Sequence, residues 1–195
     1  MPQPTRRGRL ALIGIKPDVG RMEQPGKIRS FGPAPHLEKS VTEPQPLRFA
    51  VGAFHSWDGV EIAIRDLSSG GTAASSFSYL GLQRVLAGAT QAIADGKPFL
   101  LRELPFPGNT EPIGCTPGPL AERLAARLGA GATTLQDALG RWLIPRHAAY
   151  LEGRVEDGKI MLWVQLFDND DERRAYQSLL TRSSSSVGVH DLIGA

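Results

Sequence analysis

Arg48-Phe49-Ala50-Val51-Gly52-Ala53-Phe54 is apolar, of strand length, and followed at once by the signals of a helix start. Ser56 stands where an N-cap belongs, its hydroxyl able to accept from the free backbone N–H groups of a first turn. Val60, Ala63, Ile64 and Leu67 then recur at three- and four-residue spacing, which predicts one buried helical stripe, and Gly70-Gly71 offers the left-handed stop that few other residues tolerate. From Ser76 to Leu82, Phe77, Tyr79 and Gly81 alternate with Ser78 and Leu80, the period of a second strand. The stretch reads as one β-α-β unit.

The C-terminal end repeats the plan. Lys159 to Leu166 is a strand, Asp168 or Asn169 a cap, a helix runs to about Thr181, and Ser186 to Leu192 closes as a strand. A shift of 112 residues lays Ser56 on Asp168, Ala63 on Ala175, Ile64 on Tyr176 and Leu67 on Leu179, so cap and buried positions superimpose together. Two β-α-β units of this kind interleave into a four-stranded antiparallel sheet with helices on one face, the ferredoxin-like plan of an α+β protein.

The sheet's other face then needs cover, and an inserted helical and loop segment at 83–157 is the available material. Val85 to Ala94 reads as helical, Phe99 to Leu104 as extended, and Pro119 to Leu128 as a helix with Leu120, Leu124 and Leu128 on one stripe. Thr134 with Asp137 forms a near capping box for a helix carrying Leu135, Leu139 and Leu143, while Pro145 suits the first position of another helix that Gly158 ends.

Ahead of this domain, residues 1–47 hold eight of the 15 prolines and no sustained apolar period, so they read as a disordered arm, with residues 48–195 as the single α+β domain. A local strand at Leu10 to Ile15 and a translational start at Met22 are alternatives within the arm. Thr5-Arg6-Arg7-Gly8-Arg9-Leu10 has the outline of a twin-arginine export signal, but the apolar stretch that follows is shorter than the ~7–15 residues of a signal core. Residues 1–48 carry nine Lys/Arg against four Asp/Glu, yet lack the dense cationic run with interleaved aromatics of a nucleic-acid binder. A nucleic-acid or membrane accessory role through that arm is the third reading of function. No stretch approaches the roughly 20 apolar residues of a transmembrane helix.

At 195 residues, 41% hydrophobic and 22% charged, the composition is that of an ordinary globular chain able to build a core. Cys115 is the only cysteine, which excludes an intramolecular disulfide and an all-cysteine metal cage, and points to a reducing, cytoplasmic setting.

Ile144-Pro145, Ala149-Tyr150, Glu152-Gly153, Val155 and Gly158, followed by an apolar strand and a capped acidic helix start, form a series that resembles the bacterial general-stress, or heat-induced stress, domain family. The first strand, helix and second strand resemble that family's first half, and the two parts cover about half of the chain. The Pro-rich stretch Pro105 to Pro119 departs from the Gly-rich or flexible middle helix that members often carry. The resemblance implies a stress-associated, non-enzymatic protein and brings no catalytic residues; action through a protein partner or self-association as a homodimer is expected from the edge or face that a ferredoxin-like sheet leaves exposed.

The chemistry-bearing residues are few. Cys115, just upstream of a predicted helix, is the candidate catalytic residue, since free N–H groups and the helix dipole lower a thiol pKa. A small thiol-dependent enzyme or redox protein, with Pro105 to Pro119 as a lid or active-site edge, is therefore the second reading. His36, His55, His147 and His190 share no metal-ligand spacing, and His147 with Glu152 makes a general-base pair only if both face a cleft. Asp168-Asn169-Asp170-Asp171-Glu172 lacks the alternation of a calcium loop and reads as helix capping. Gly108-Asn109-Thr110 and Gly129-Ala130-Gly131 are turns, not phosphate cradles, and Trp57, Trp142 and Trp163 read as core. No cofactor and no metal is expected.

Overall fold

The computed structural model describes residues 47–92, 100–185 and 187–193. The expected arm at 1–47 lies outside them but for Leu47, as does Ser186. Among the described residues six strands and six α-helices follow in the order β1 (Leu47–Phe54), α1 (Trp57–Ser69), β2 (Phe77–Leu82), α2 (Gln83–Ala92), β3 (Arg102–Leu104), β4 (Ile113–Cys115), α3 (Pro119–Gly129), α4 (Leu135–Leu139), α5 (Pro145–Glu156), β5 (Ile160–Leu166), α6 (Asn169–Arg182) and β6 (Gly188–Leu192), with a short 3-10 turn at Ala74–Ser76 before β2.

One antiparallel sheet of order β3-β4-β2-β5-β1-β6 holds all six strands. The expected sheet had four. The difference lies in Pro105 to Pro119, read as a loop: its Ile113-Gly114-Cys115 folds back on Arg102-Glu103-Leu104 and pairs with Leu80 to Leu82, adding a hairpin at the β2 edge. β5 is antiparallel to both β1 and β2, so those two run parallel with β5 between them.

Strand alternation sends each sheet residue to one of two cores. Ala50, Phe77, Tyr79, Leu162 and Val164 meet Val60, Ala63 and Leu67 of α1 and Ala175 and Leu179 of α6. Phe49, Val51, Leu80, Leu82, Met161 and Trp163 meet Leu120 and Leu124 of α3, Leu135 and Leu139 of α4, and Ala148, Leu151 and Val155 of α5. Helices therefore lie on both faces.

The repeat seen in the sequence survives with two departures. Ala63 and Ala175, and Leu67 and Leu179, are buried in equivalent places, whereas Ile64 is half-buried and Tyr176 is exposed. Asp168 caps α6 by accepting from the Asp171 N–H at 2.7 Å, but Ser56 occupies the N-cap of α1 without a side-chain bond. After α1 the left-handed residue is Gly71, with φ of 97°.

α4 is shorter than its apolar spacing suggests, ending at Leu139 with Trp142 and Leu143 in turns. Ile144 precedes a proline, which excludes helical backbone there, and it is extended at φ −63° and ψ 147° before Pro145 opens α5. The Thr134 hydroxyl accepts from the Asp137 N–H, as a capping box requires, but the Asp137 carboxylate reaches back to Thr133. That hydrogen bond from Thr133 holds the Asp137 carboxyl below its ordinary pKa.

Asn109 ties the hairpin to the helical cover. Its Nδ2 donates to Glu152 Oε1 at 2.7 Å and its Oδ1 accepts from the Leu135 N–H at 2.9 Å, while Glu152 Oε1 also accepts from the Gln136 N–H at 3.1 Å. Replacing Asn109 by Ala takes one of two donors from the part-buried Glu152 carboxylate and leaves the Leu135 N–H at the start of α4 without its acceptor, so a loss of about 1–3 kcal/mol is expected. Urea unfolding of N109A beside the unmodified protein measures it through the shift in midpoint.

Candidate interaction edge

The β3–β4 hairpin buries Cys115 completely in the core beneath α3, α4 and α5. Burial pushes its thiol pKa up to about 12, opposed only by the nearby Arg102 charge. The expectation of a helix-lowered pKa is thus reversed, because desolvation outweighs the dipole of a helix that begins four residues later. Pro105 to Pro119 is likewise no lid, since its middle is a sheet strand.

His147 and Glu152 do not pair. Glu152 is committed to Asn109 and the start of α4, while His147, in the first turn of α5, faces His190 of β6 with ring centroids 5.9 Å apart. Forty-three residues separate the two histidines in sequence, so no local spacing could have announced them. The available signal was His190 itself, placed by strand alternation on the same side as Leu192, which is wholly buried.

The acidic run behaves as a helix start. Asp168 caps, Asp171 accepts from the Phe167 N–H and pairs with Arg174 at 2.5 Å, Asp170 pairs with Arg173, and Glu172 reaches Arg48 at 2.8 Å. Among the described residues no group of three His, Cys, Asp or Glu is arranged to hold a metal. Gly108 is a close-packing position, where an added Cβ would lie 2.7 Å from Thr134 Cγ2, and Gly131 is a left-handed turn. Trp57 and Trp163 are core and Trp142 packs half-buried against it. His55 instead contacts Lys159 at the surface.

Among the described residues the sheet ends at β3 on one side and at β6 on the other, and β6 pairs with β1 alone. Two features flank it. At its C-terminal end, Phe167 (71% exposed) and Ile193 (66% exposed) line one depression of about 320 Å³ with Arg48, Asp168, Glu172 and Asp191. Arg48 lies between Glu172 and Asp191, at 2.8 and 3.7 Å, which gives the patch both signs of charge beside its apolar surface.

At its N-terminal end, on the opposite face, a cavity of about 260 Å³ is lined by His147, His190, Tyr150, Leu151, Val51 and Gly188, among others. His190 also lies 6.4 Å from the Trp163 ring, which in turn meets Phe49 edge-on at 5.8 Å. Burial first, then the neighbouring His147, lower the His190 pKa, and Asp191 opposes them; the ring is accordingly neutral at physiological pH.

No known protein family, curated protein or solved structure matches this chain. No helix among the described residues is long and apolar enough to cross a membrane.

A thiol with a pKa near 12 in the fold and an ordinary value of 9.0 when unfolded stabilises the folded state below about pH 9 and loses that contribution as pH rises towards 12. Cys115 in the folded protein should therefore resist alkylation at pH 8, reacting at the rate of free cysteine only once denaturant has unfolded the chain. Mass spectrometry of iodoacetamide-treated samples reads this directly, and equal rates in both states would show an accessible thiol.

Proposed function

We propose that this protein is a non-enzymatic, stress-associated domain that works through protein contacts, with a second copy of itself as the partner at the β6 edge. The observation that carries the contact is the juxtaposition of an edge strand with exposed Phe167 and Ile193 and the Glu172–Arg48–Asp191 charge row. An unpaired strand edge presents backbone donors and acceptors that another strand can take up. A two-fold contact uses the same patch on both copies and so requires it to be complementary to itself, which a surface carrying both charges around an apolar centre satisfies. The stress association rests on the resemblance carried by Ile144-Pro145, Ala149-Tyr150, Glu152-Gly153, Val155 and Gly158.

The strand order β2-β5-β1-β6, with α1 and α6 on one face, supports reading those elements as a ferredoxin-like unit into which the β3–β4 hairpin and α2 to α5 are inserted. The non-enzymatic reading is supported by the burial of Cys115 and the commitment of Glu152 to a helix cap.

Light scattering coupled to size-exclusion chromatography on the full chain should give a dimer whose fraction rises with concentration. F167D and I193D, both on exposed side chains, should each shift it to monomer with unchanged thermal stability. A monomer at every concentration, or a dimer indifferent to both substitutions, would overturn this assignment.

A further inference from the structure

We propose that the contact between His147 and His190 is an acid-sensitive latch on the edge strand, and that protonation of His190 frees β6 while the rest of the sheet stays folded. The latch works within one copy of the chain, so it goes beyond the self-association reading and does not depend on it.

β6 is lightly held. Among the described residues it pairs with β1 alone, and of its five residues only Leu192 is fully buried. On the face covered by α3 to α5 its side chains are His190 and Leu192, since Gly188 carries none. On the other face Val189 packs half-buried against the core, and Asp191 meets Arg48 at 3.7 Å on the surface. An element with so few buried apolar contacts opens locally at lower cost than the core. The fit of His190 therefore weighs heavily in whether the strand stays in place.

That fit suits a neutral ring. His190 meets His147 of α5 with centroids 5.9 Å apart and planes at 67°, and stands 6.4 Å from Trp163 of β5. Its Nε2 packs on Gly188, where an added Cβ would lie 2.6 Å away, so the strand itself shields that nitrogen. An imidazolium needs acceptors for two N–H groups. The cavity wall around the two rings, made by Val51, Tyr150, Leu151, Val187 and Gly188, holds no carboxylate to take them.

The charged and titratable neighbours leave the same balance. β1 and β5 face the ring with Phe49, Val51 and Trp163, none of which carries charge. α5 brings His147, which disfavours charge on His190, and Tyr150, which lies beneath the Arg154 guanidinium at 5.0 Å. Asp191 favours the charge, but it is the next residue of β6 and is engaged with Arg48. Burial and His147 together outweigh it. Above the ordinary imidazole value of 6.5 the ring is neutral whether β6 is seated or free, and the latch is closed. As pH falls below that value the freed ring takes up a proton more readily than the seated one, which draws the strand out.

Amide hydrogen exchange on the full chain, followed by NMR and corrected for the intrinsic rate, compares β6 with β5 between about pH 8 and pH 5. Acid should lower the protection of β6 roughly threefold or more beyond any change in β5. H190L and H190Q, uncharged at every pH, should each abolish that difference, while H147A should shrink it and H55A leave it whole. The difference should persist in F167D, where loss of a partner copy cannot produce it. Equal changes in β5 and β6, a difference retained in H190L and H190Q or undiminished in H147A, or its absence from F167D would each overturn the proposal.

Discussion

β5 sets the terms for everything else in this fold. Six of its seven residues are buried, and they point alternately to opposite faces, with Ile160, Leu162, Val164 and Leu166 to one side and Met161 and Trp163 to the other. A strand of this kind cannot lie in a two-layer protein, because either side left to water would expose apolar surface at about 25 cal/mol for each Å². Its neighbours share the constraint. Phe49 and Val51 of β1, and Leu80 and Leu82 of β2, point with Trp163 away from α1 and α6. The long segment between β2 and β5 is thus the structural necessity that completes the second core.

That cover is held by polar contacts as well as by burial. α4 has five residues, too few to be stable by its own hydrogen bonding. Its first N–H groups are satisfied from outside, by Asn109 of the β3–β4 connection, by Glu152 of α5 and by Thr134 at the cap. The same Glu152 that seemed available for proton transfer is thereby fixed in a structural role. Arg84 and Glu111 add a tie between α2 and the hairpin connection at 2.6 Å, on the surface where such pairs contribute little.

Much of this was legible in the sequence because the informative signals were local. Strand alternation from Phe77 to Leu82, the stripe Val60-Ala63-Leu67, the cap at Asp168 and the proline at 145 each depend only on residues within a turn or two, and each appears in the structure. Ile113-Gly114-Cys115 carries no detectable period in the sequence, being three residues flanked by Thr110, Pro112, Thr116 and Pro117; their strand exists only through pairing with β2 and β3. The environment of Cys115 is hidden from the sequence for the same reason. Its position before a helix suggested a lowered pKa, but its depth was set by that pairing, and depth decided the sign. The meeting of His147 with His190 depends on the register of β6 against β1, which no spacing rule contains.

His190 occupies a place where the fold would accept an apolar residue. Its strand neighbours on the same face are Gly188 and Leu192, and the ring lies between Trp163 and His147. A half-buried imidazole with a lowered pKa binds fewer protons folded than unfolded, so it withdraws stability as pH falls below the ordinary value of 6.5 and towards the folded one. The neighbouring His147 adds to that penalty. Leucine at 190 would remove the penalty and extend the core to the end of the sheet. The chain instead places two titratable rings against each other at the side of the sheet where β6 lies. The thiol is sealed and the acidic cluster is consumed in capping, whereas these two rings meet beside β6, an edge strand among the described residues.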